Sequence, residues 1–234
     1  MSPPEFRPGQ PTLGPTTAPQ PTPGQRWGRY LGLLAVVAFV LIAVHTLVNK
    51  ATLVRGIEPG RKLPPFALPL ALGDVSGDAD IATHADDGAA GRVPACSERG
   101  AQLLNVCELY EQGPVVLTLF VNGGSCADIL SDMQALAPSF PGVRFAAVAI
   151  KGSRSALRRL VRSRHLGFPV GIDSDGAVAT LYQVASCPQV TFAYPGGVVQ
   201  SAALLERPSR ATLRARLSEL VAASRSRGWR GAGA

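Results

Sequence analysis

GPVVLTLFVNGGSCADILSDMQALAP, residues 113–138, passes from one structural period to another. Pro114 to Val121 is a continuous apolar, β-branched run, as expected of a strand buried on both faces of a sheet. Asn122, Gly123 and Gly124 break it. Ile129, Leu130, Met133 and Leu136 then recur at helical spacing, and Pro138 stops the helix. Cys126 stands at the junction. A thiolate there faces unpaired N–H groups and the positive end of a helix dipole, which lowers a thiol pKa and raises reactivity. Ser125 followed by Asp128 resembles a capping box that would fix the helix start. Asp128 also brings a carboxylate near the sulfur, which opposes thiolate formation.

Further along the chain, Val143 to Ile150 is a second buried strand, and Ala156, Leu157, Leu160 and Val161 mark the next helix. Phe168 to Ile172 is a short strand and Ala177 to Tyr182 a short helix. Gln189 to Tyr194, the turn Pro195-Gly196-Gly197 and Val198 to Gln200 make a β-hairpin. Leu213, Leu217, Leu220 and Val221 define a final helix. Strands alternating with helices, then a hairpin and a helix, describe an α/β sandwich with a mixed sheet. Upstream, the segment LPPFALPLAL (63–72) supplies a first edge strand. Residues 73–92 are small, acidic and Gly-rich, a loop or insertion. His84 lies there near Asp80, Asp86 and Asp87, but flexible composition does not make ligands converge, so a solvated loop is expected.

The N-terminal residues 1–26 are rich in Pro, Thr, Gly and Gln and cannot bury enough surface to offset ordering entropy, so a disordered tail is expected. From Tyr30 to Val48 the sequence is almost wholly apolar, long enough at about 1.5 Å per residue to span a hydrocarbon core of roughly 30 Å. Trp27 and Tyr30 mark an interface, and Arg26, Arg29 and Lys50 flank the ends. The expected organisation is a tail (1–26), a transmembrane anchor (27–49), a stalk (50–65), one folded domain (66–222, with an insertion at about 73–110) and a disordered tail (223–234). No small-x-small cleavage site follows the run, which favours an anchor over a cleaved signal. All four cysteines lie beyond it, an even number suited to an oxidising compartment. The expected placement is therefore a single-pass membrane protein with its N-terminus cytoplasmic and its domain outside the cytoplasm, meeting the bilayer through residues 30–48.

The formal charge is +7. Basic residues cluster in Lys151 to His165 and Arg207 to Arg230, each an amphipathic helix with a solvated cationic face. Few aromatics accompany the arginines, so nucleic acid is not an expected partner. No two cysteines have C-x-x-C spacing, which speaks against zinc, and no cofactor is expected. Cys96 and Cys107, eleven positions apart in ACSERGAQLLNVC, can close a small structural disulfide; an electron relay to Cys126 is the alternative reading, and four cysteines allow three pairings.

Strand, Gly-containing loop, Cys126, a helix ending near Pro138, and then YQVASCPQVTFAYPGGVV (182–199) resemble the membrane-anchored thioredoxin-like proteins of the TlpA/ResA type, over about residues 60–222. The resemblance implies a thioredoxin-like sandwich with a mixed central sheet. Pro188 falls at the cis-proline position, in a loop that packs against the active-site cysteine in that fold. The departure is large: those oxidoreductases carry Cys-x-x-Cys, and Ile129 stands where the second cysteine belongs. Ser125 replaces the usual Trp. With Pro188 as the cis-proline, Cys187 becomes a neighbour of Cys126.

The activity that this resemblance implies is thiol–disulfide exchange on protein thiols and disulfides, with a membrane or extracytoplasmic electron donor. Cys126 would be the nucleophile and Cys187 the resolving thiol. A permanent structural bridge between them is the competing reading. A redox-inactive module holding an extended peptide in the cis-proline groove is a second function class. A peroxidase of the peroxiredoxin kind is a third, disfavoured by Gly123 where those enzymes have Thr.

Overall fold

The computed structural model describes residues 23–50, 56–85 and 93–231, with side chains of the first helix described at residues 27 and 30–44. The chain divides into two units, Met1–Leu53 and Val54–Ala234. In the first, α1 (Pro23–Lys50) is a continuous helix. Its described apolar side chains face outward all round, among them Leu31, Leu34, Phe39 and Ile42. Among the described residues no helix is long and apolar enough to cross a membrane. The expected span Tyr30–Val48 continues past Val44 into residues whose side chains lie outside the description, as do the 1–22 part of the expected tail and residues 51–55 of the expected stalk.

The second unit is an α/β sandwich. In chain order its elements are β1 (Ala67–Pro69), β2 (Leu103–Asn105), α2 (Val106–Gln112), β3 (Val115–Phe120), α3 (Ile129–Leu136), β4 (Arg144–Ile150), α4 (Arg154–Ser163), β5 (Val170–Asp173), α5 (Ala177–Leu181), β6 (Gln189–Ala193) and α6 (Arg210–Ser226). The main sheet has the order β5-β4-β3-β6. β3 and β4 are parallel with Val115 opposite Arg144, β4 and β5 are parallel, and β6 runs antiparallel to β3 with Val115 opposite Ala193. β1 and β2 form a small antiparallel pair, Leu68 opposite Leu104.

β3 is the inner strand that the unbroken apolar run requires, and all six of its residues are buried. Its side chains alternate between two cores, as the period of two demands. Val116 and Phe120 meet Ile129, Leu130, Met133, Leu213 and Leu217 on one face. Val115, Leu117 and Leu119 meet Phe66, Leu68, Leu104 and Tyr182 on the other. Thr118, fully buried, satisfies its hydroxyl by donating to the Met133 sulfur at 3.0 Å. The second arm of the expected hairpin is slight: Val199 bridges Ala193 while Tyr194 N–H donates to Val198. That turn needs glycine, because at Gly197 φ is +87° and an added Cβ would lie 2.7 Å from the Tyr110 ring.

Several expectations are corrected. Ser125 caps nothing: residues Gly124–Asp128 form a 3₁₀ turn, and neither its start nor that of α3 has a side-chain cap. Asp80 is buried rather than solvated, its backbone pairing with Ala67 and its Oδ1 accepting from Ala82 N–H at 2.8 Å. Asp86 and Asp87 lie outside the described residues. The cationic face of α4 is only partly solvated: Arg159 and Arg162 are exposed, whereas Arg154 and Arg158 are engaged. Arg154 donates to the carbonyls of Leu70, Gly73 and Val75, and Arg158 to those of Ala71 and Gly73, so the helix holds the 70–75 loop in place. α6 runs to Ser226, past residue 223, where the sequence led us to expect disorder. Beyond it Trp229 N–H donates to Ser224, and the indole sits by Gly113.

Candidate functional site

The inner strand β3 ends at Phe120, and the chain leaves the sheet through Val121, Asn122, Gly123 and Gly124 into the turn that carries Cys126. Gly123 and Gly124 adopt positive φ, +152° and +54°, which lets the chain fold back over the strand end. The Cys126 side chain is half-buried and packs on the α3 core. Opposite it, the loop between α5 and β6 brings Cys187 alongside, with Pro188 next in sequence and in the cis form.

Cys126 and Cys187 are joined as a disulfide, their Cα atoms 5.5 Å apart and their positions 61 residues apart in sequence. The neighbourhood inferred from Pro188 is thus observed. The backbone N–H of Val121 donates to both sulfurs, at 3.3 Å to Cys126 and 3.1 Å to Cys187. Val121 is itself 46 % exposed, and Gly123, Gly124, Ser125 and Cys187 are exposed beside it, so the disulfide lies at an open surface. Pro188 and Gln189 behind it are buried, Gln189 donating from Nε2 to the Tyr182 carbonyl at 3.0 Å. Burial pushes the Tyr182 hydroxyl well up, so it stays a donor, to the Pro64 carbonyl at 2.8 Å.

Asp128 does not stand as a bare charge beside Cys126. Its two oxygens pair with Arg164 at 3.0 Å and Arg207 at 3.3 Å. Arg207 pairs also with Asp132, which Arg210 binds from the other side at 2.9 Å. Arg164 donates in addition to the Ala127 carbonyl. The turn carrying Cys126 is therefore tied to the end of α4 and to the start of α6. Sequence reasoning missed these roles of Arg164 and Arg207, having placed both on solvated faces; the acidic pair Asp128 and Asp132, one helical turn apart, was the available signal.

The second disulfide joins Cys96 to Cys107, with Cα atoms 5.4 Å apart. Its setting differs. Cys107 is wholly buried near the start of α2, where the Asn105 side chain accepts from Cys107 and Glu108 N–H and donates to the Ala95 and Glu98 carbonyls. Glu98 is held above its ordinary value, first by burial and then by the Asp80 charge. No group of three or more His, Cys, Asp or Glu able to hold a metal exists among the described residues.

No protein-family model and no curated protein matches the chain. Solved structures do. A candidate thiol:disulfide interchange protein DsbE from Chlorobium tepidum is 18% identical, with 72% of this chain and 98% of that one covered and a TM-score of 0.50. A candidate protein disulfide isomerase from Bacteroides thetaiotaomicron is 12% identical, with 74% and 97% covered and a TM-score of 0.52. A secreted disulfide oxidoreductase from Mycobacterium tuberculosis is 21% identical, with 51% and 90% covered and a TM-score of 0.46. At these identities the likeness is one of fold: the second unit of this chain is a thioredoxin-like α/β sandwich with a mixed sheet.

Proposed function

We propose that the folded unit is a thiol–disulfide oxidoreductase acting on protein thiols and disulfides through Cys126 and Cys187, with Pro188 shaping the face that meets the substrate. The observation that carries this reading is the position of the Cys126–Cys187 disulfide. It lies at an open surface, at the end of the inner strand, within reach of a backbone N–H that can stabilise a thiolate. Exchange there is balanced. A substrate dithiol gives two electrons to the disulfide and becomes a disulfide itself, while Cys126 and Cys187 become thiols; the reverse reduces a substrate disulfide. The missing second cysteine of Cys-x-x-Cys is replaced in space by Cys187, 61 residues on.

The membrane and extracytoplasmic assignments belong to the same proposal. α1, at 28 residues, is about 42 Å long, and its described apolar side chains point outward on every side. Two disulfides suit an oxidising compartment, with the N-terminus on the cytoplasmic side and an electron donor in the membrane or beyond it. Carbonate extraction of membranes from expressing cells tests the anchor. The full chain stays with the lipid, and a chain starting at residue 51 does not; release of both would remove it. For the chemistry, the oxidised full chain is incubated with a reduced dithiol peptide. Formation of peptide disulfide with loss of the Cys126–Cys187 bond is the expected result.

A further inference from the structure

The two sulfurs of the pair are not equivalent targets. Cys187 is exposed, whereas Cys126 is half-buried and packs on the cluster formed by Phe120, Ile129, Leu130 and their neighbours. An incoming thiolate displaces one sulfur along a nearly straight S–S–S line, so it needs free approach to the sulfur that it attacks. The core narrows the approaches to Cys126, while Cys187 offers an open one.

The leaving sulfur must also accept negative charge. Cys126 lies in the 3₁₀ turn that runs directly into α3. The Val121 N–H serves both sulfurs, at 3.3 Å to Cys126 and 3.1 Å to Cys187, so the difference between them comes from the helix. The one carboxylate close in sequence, Asp128, is paired with Arg164 and Arg207, so it opposes that charge little. Cys187 lies in a loop and has no helix behind it. A better-stabilised thiolate leaves faster. Access and leaving-group chemistry therefore agree.

Resting on the exchange reaction proposed above, we infer that the substrate sulfur bonds to Cys187 and that Cys126 is the leaving thiolate. In the oxidising direction a substrate thiolate attacks Cys187 Sγ. A substrate–Cys187 bond forms, the Cys126–Cys187 bond breaks, and its electron pair stays on Cys126. A second substrate thiolate then attacks the substrate sulfur and releases Cys187 as a thiolate. In the reducing direction the same path runs backward: the Cys187 thiolate attacks the substrate disulfide, and Cys126 resolves the mixed disulfide. The roles are the reverse of those expected from the sequence, where the helix start and the family resemblance together made Cys126 the attacking group. Placement at a helix start makes a good leaving and resolving thiolate; exposure makes the sulfur that meets a macromolecule.

The test needs no variant. Oxidised full-length protein is mixed with reduced glutathione, quenched in acid at the earliest times, alkylated and mapped by peptide mass. The expected product carries glutathione on Cys187 and the alkyl group on Cys126, in at least about fivefold excess over the converse adduct. Glutathione on Cys126 in equal or greater amount overturns the inference while leaving the exchange function intact. A Cys126–Cys187 bond that stays closed, with neither adduct nor oxidised glutathione formed, overturns the exchange function and the inference with it.

Discussion

The backbone N–H of Val121 points at the sulfur of Cys187, 3.1 Å away, and reaches Cys126 as well, at 3.3 Å. One donor thus serves both ends of a bond that the proposed reaction breaks. When the bond opens, the charge that appears meets a hydrogen bond already in place. A hydrogen bond to a charged acceptor contributes about 1.5–3 kcal/mol, more than one to a neutral sulfur.

Removing that donor favours the oxidised form. Val121→Pro has no N–H at this position, so the thiolate loses a partner and the disulfide becomes harder to reduce. The reduction potential falls by about 30 mV, equivalent to roughly 1.4 kcal/mol. Equilibration with glutathione redox buffers measures it; an unchanged potential in a folded variant excludes the role.

Asp128 shares the turn of Cys126 and pairs with Arg164 and Arg207, so its charge and theirs are expected to act on the Cys126 thiolate in opposite directions. Asp128→Asn leaves Arg164 and Arg207 with less negative charge to neutralise, and the reduced protein ionises Cys126 at lower pH. Arg164→Gln leaves Asp128 less compensated, and Cys126 ionises at higher pH. Ultraviolet thiolate absorbance against pH reads both. Shifts of the same sign in the two variants would exclude an electrostatic role.

Asp173 links pH to stability. It is fully buried, and burial raises its carboxyl above the ordinary 3.8 even though Val178 and Ala179 N–H groups donate to it. The folded state therefore binds the proton more tightly than the unfolded chain, and this contribution to stability falls as pH rises from about 3.8 through the higher folded value. Asp173→Asn flattens that slope and, with one fewer acceptor at the start of α5, lowers overall stability by about 1 kcal/mol. Denaturant melts across acidic pH check the slope.

The Cys96–Cys107 pair is expected to be structural. Replacing both by Ser lowers stability by about 2–3 kcal/mol, the order given by chain-entropy closure of a short loop. Exchange at Cys126–Cys187 persists in the folded variant. Loss of exchange without loss of stability would instead favour the relay reading.

The sequence showed most clearly what local pattern encodes. β3 announced itself because six consecutive buried residues leave no polar interruption beyond Thr118, and α3 through Ile129, Leu130, Met133 and Leu136, all buried. Cys126 stood out by lying between the two. Its pairing with Cys187 came through Pro188, which local pattern alone would not have linked to it. The links among helices were not legible. Asp128 meets Arg164 and Arg207 across 36 and 79 positions, and no periodicity relates them. The same holds for Arg154, whose guanidinium closes a loop 84 residues earlier. A backbone donor such as Val121 N–H leaves no signature, because every residue but proline has one.

The decisive experiment is a redox titration of the full chain in its folded state, with each cysteine followed by peptide mapping. The expected result is that Cys126–Cys187 opens reversibly in glutathione or dithiothreitol buffers while Cys96–Cys107 remains closed. Opening of both bonds together, and only when the protein unfolds, would contradict a redox role for Cys126 and Cys187.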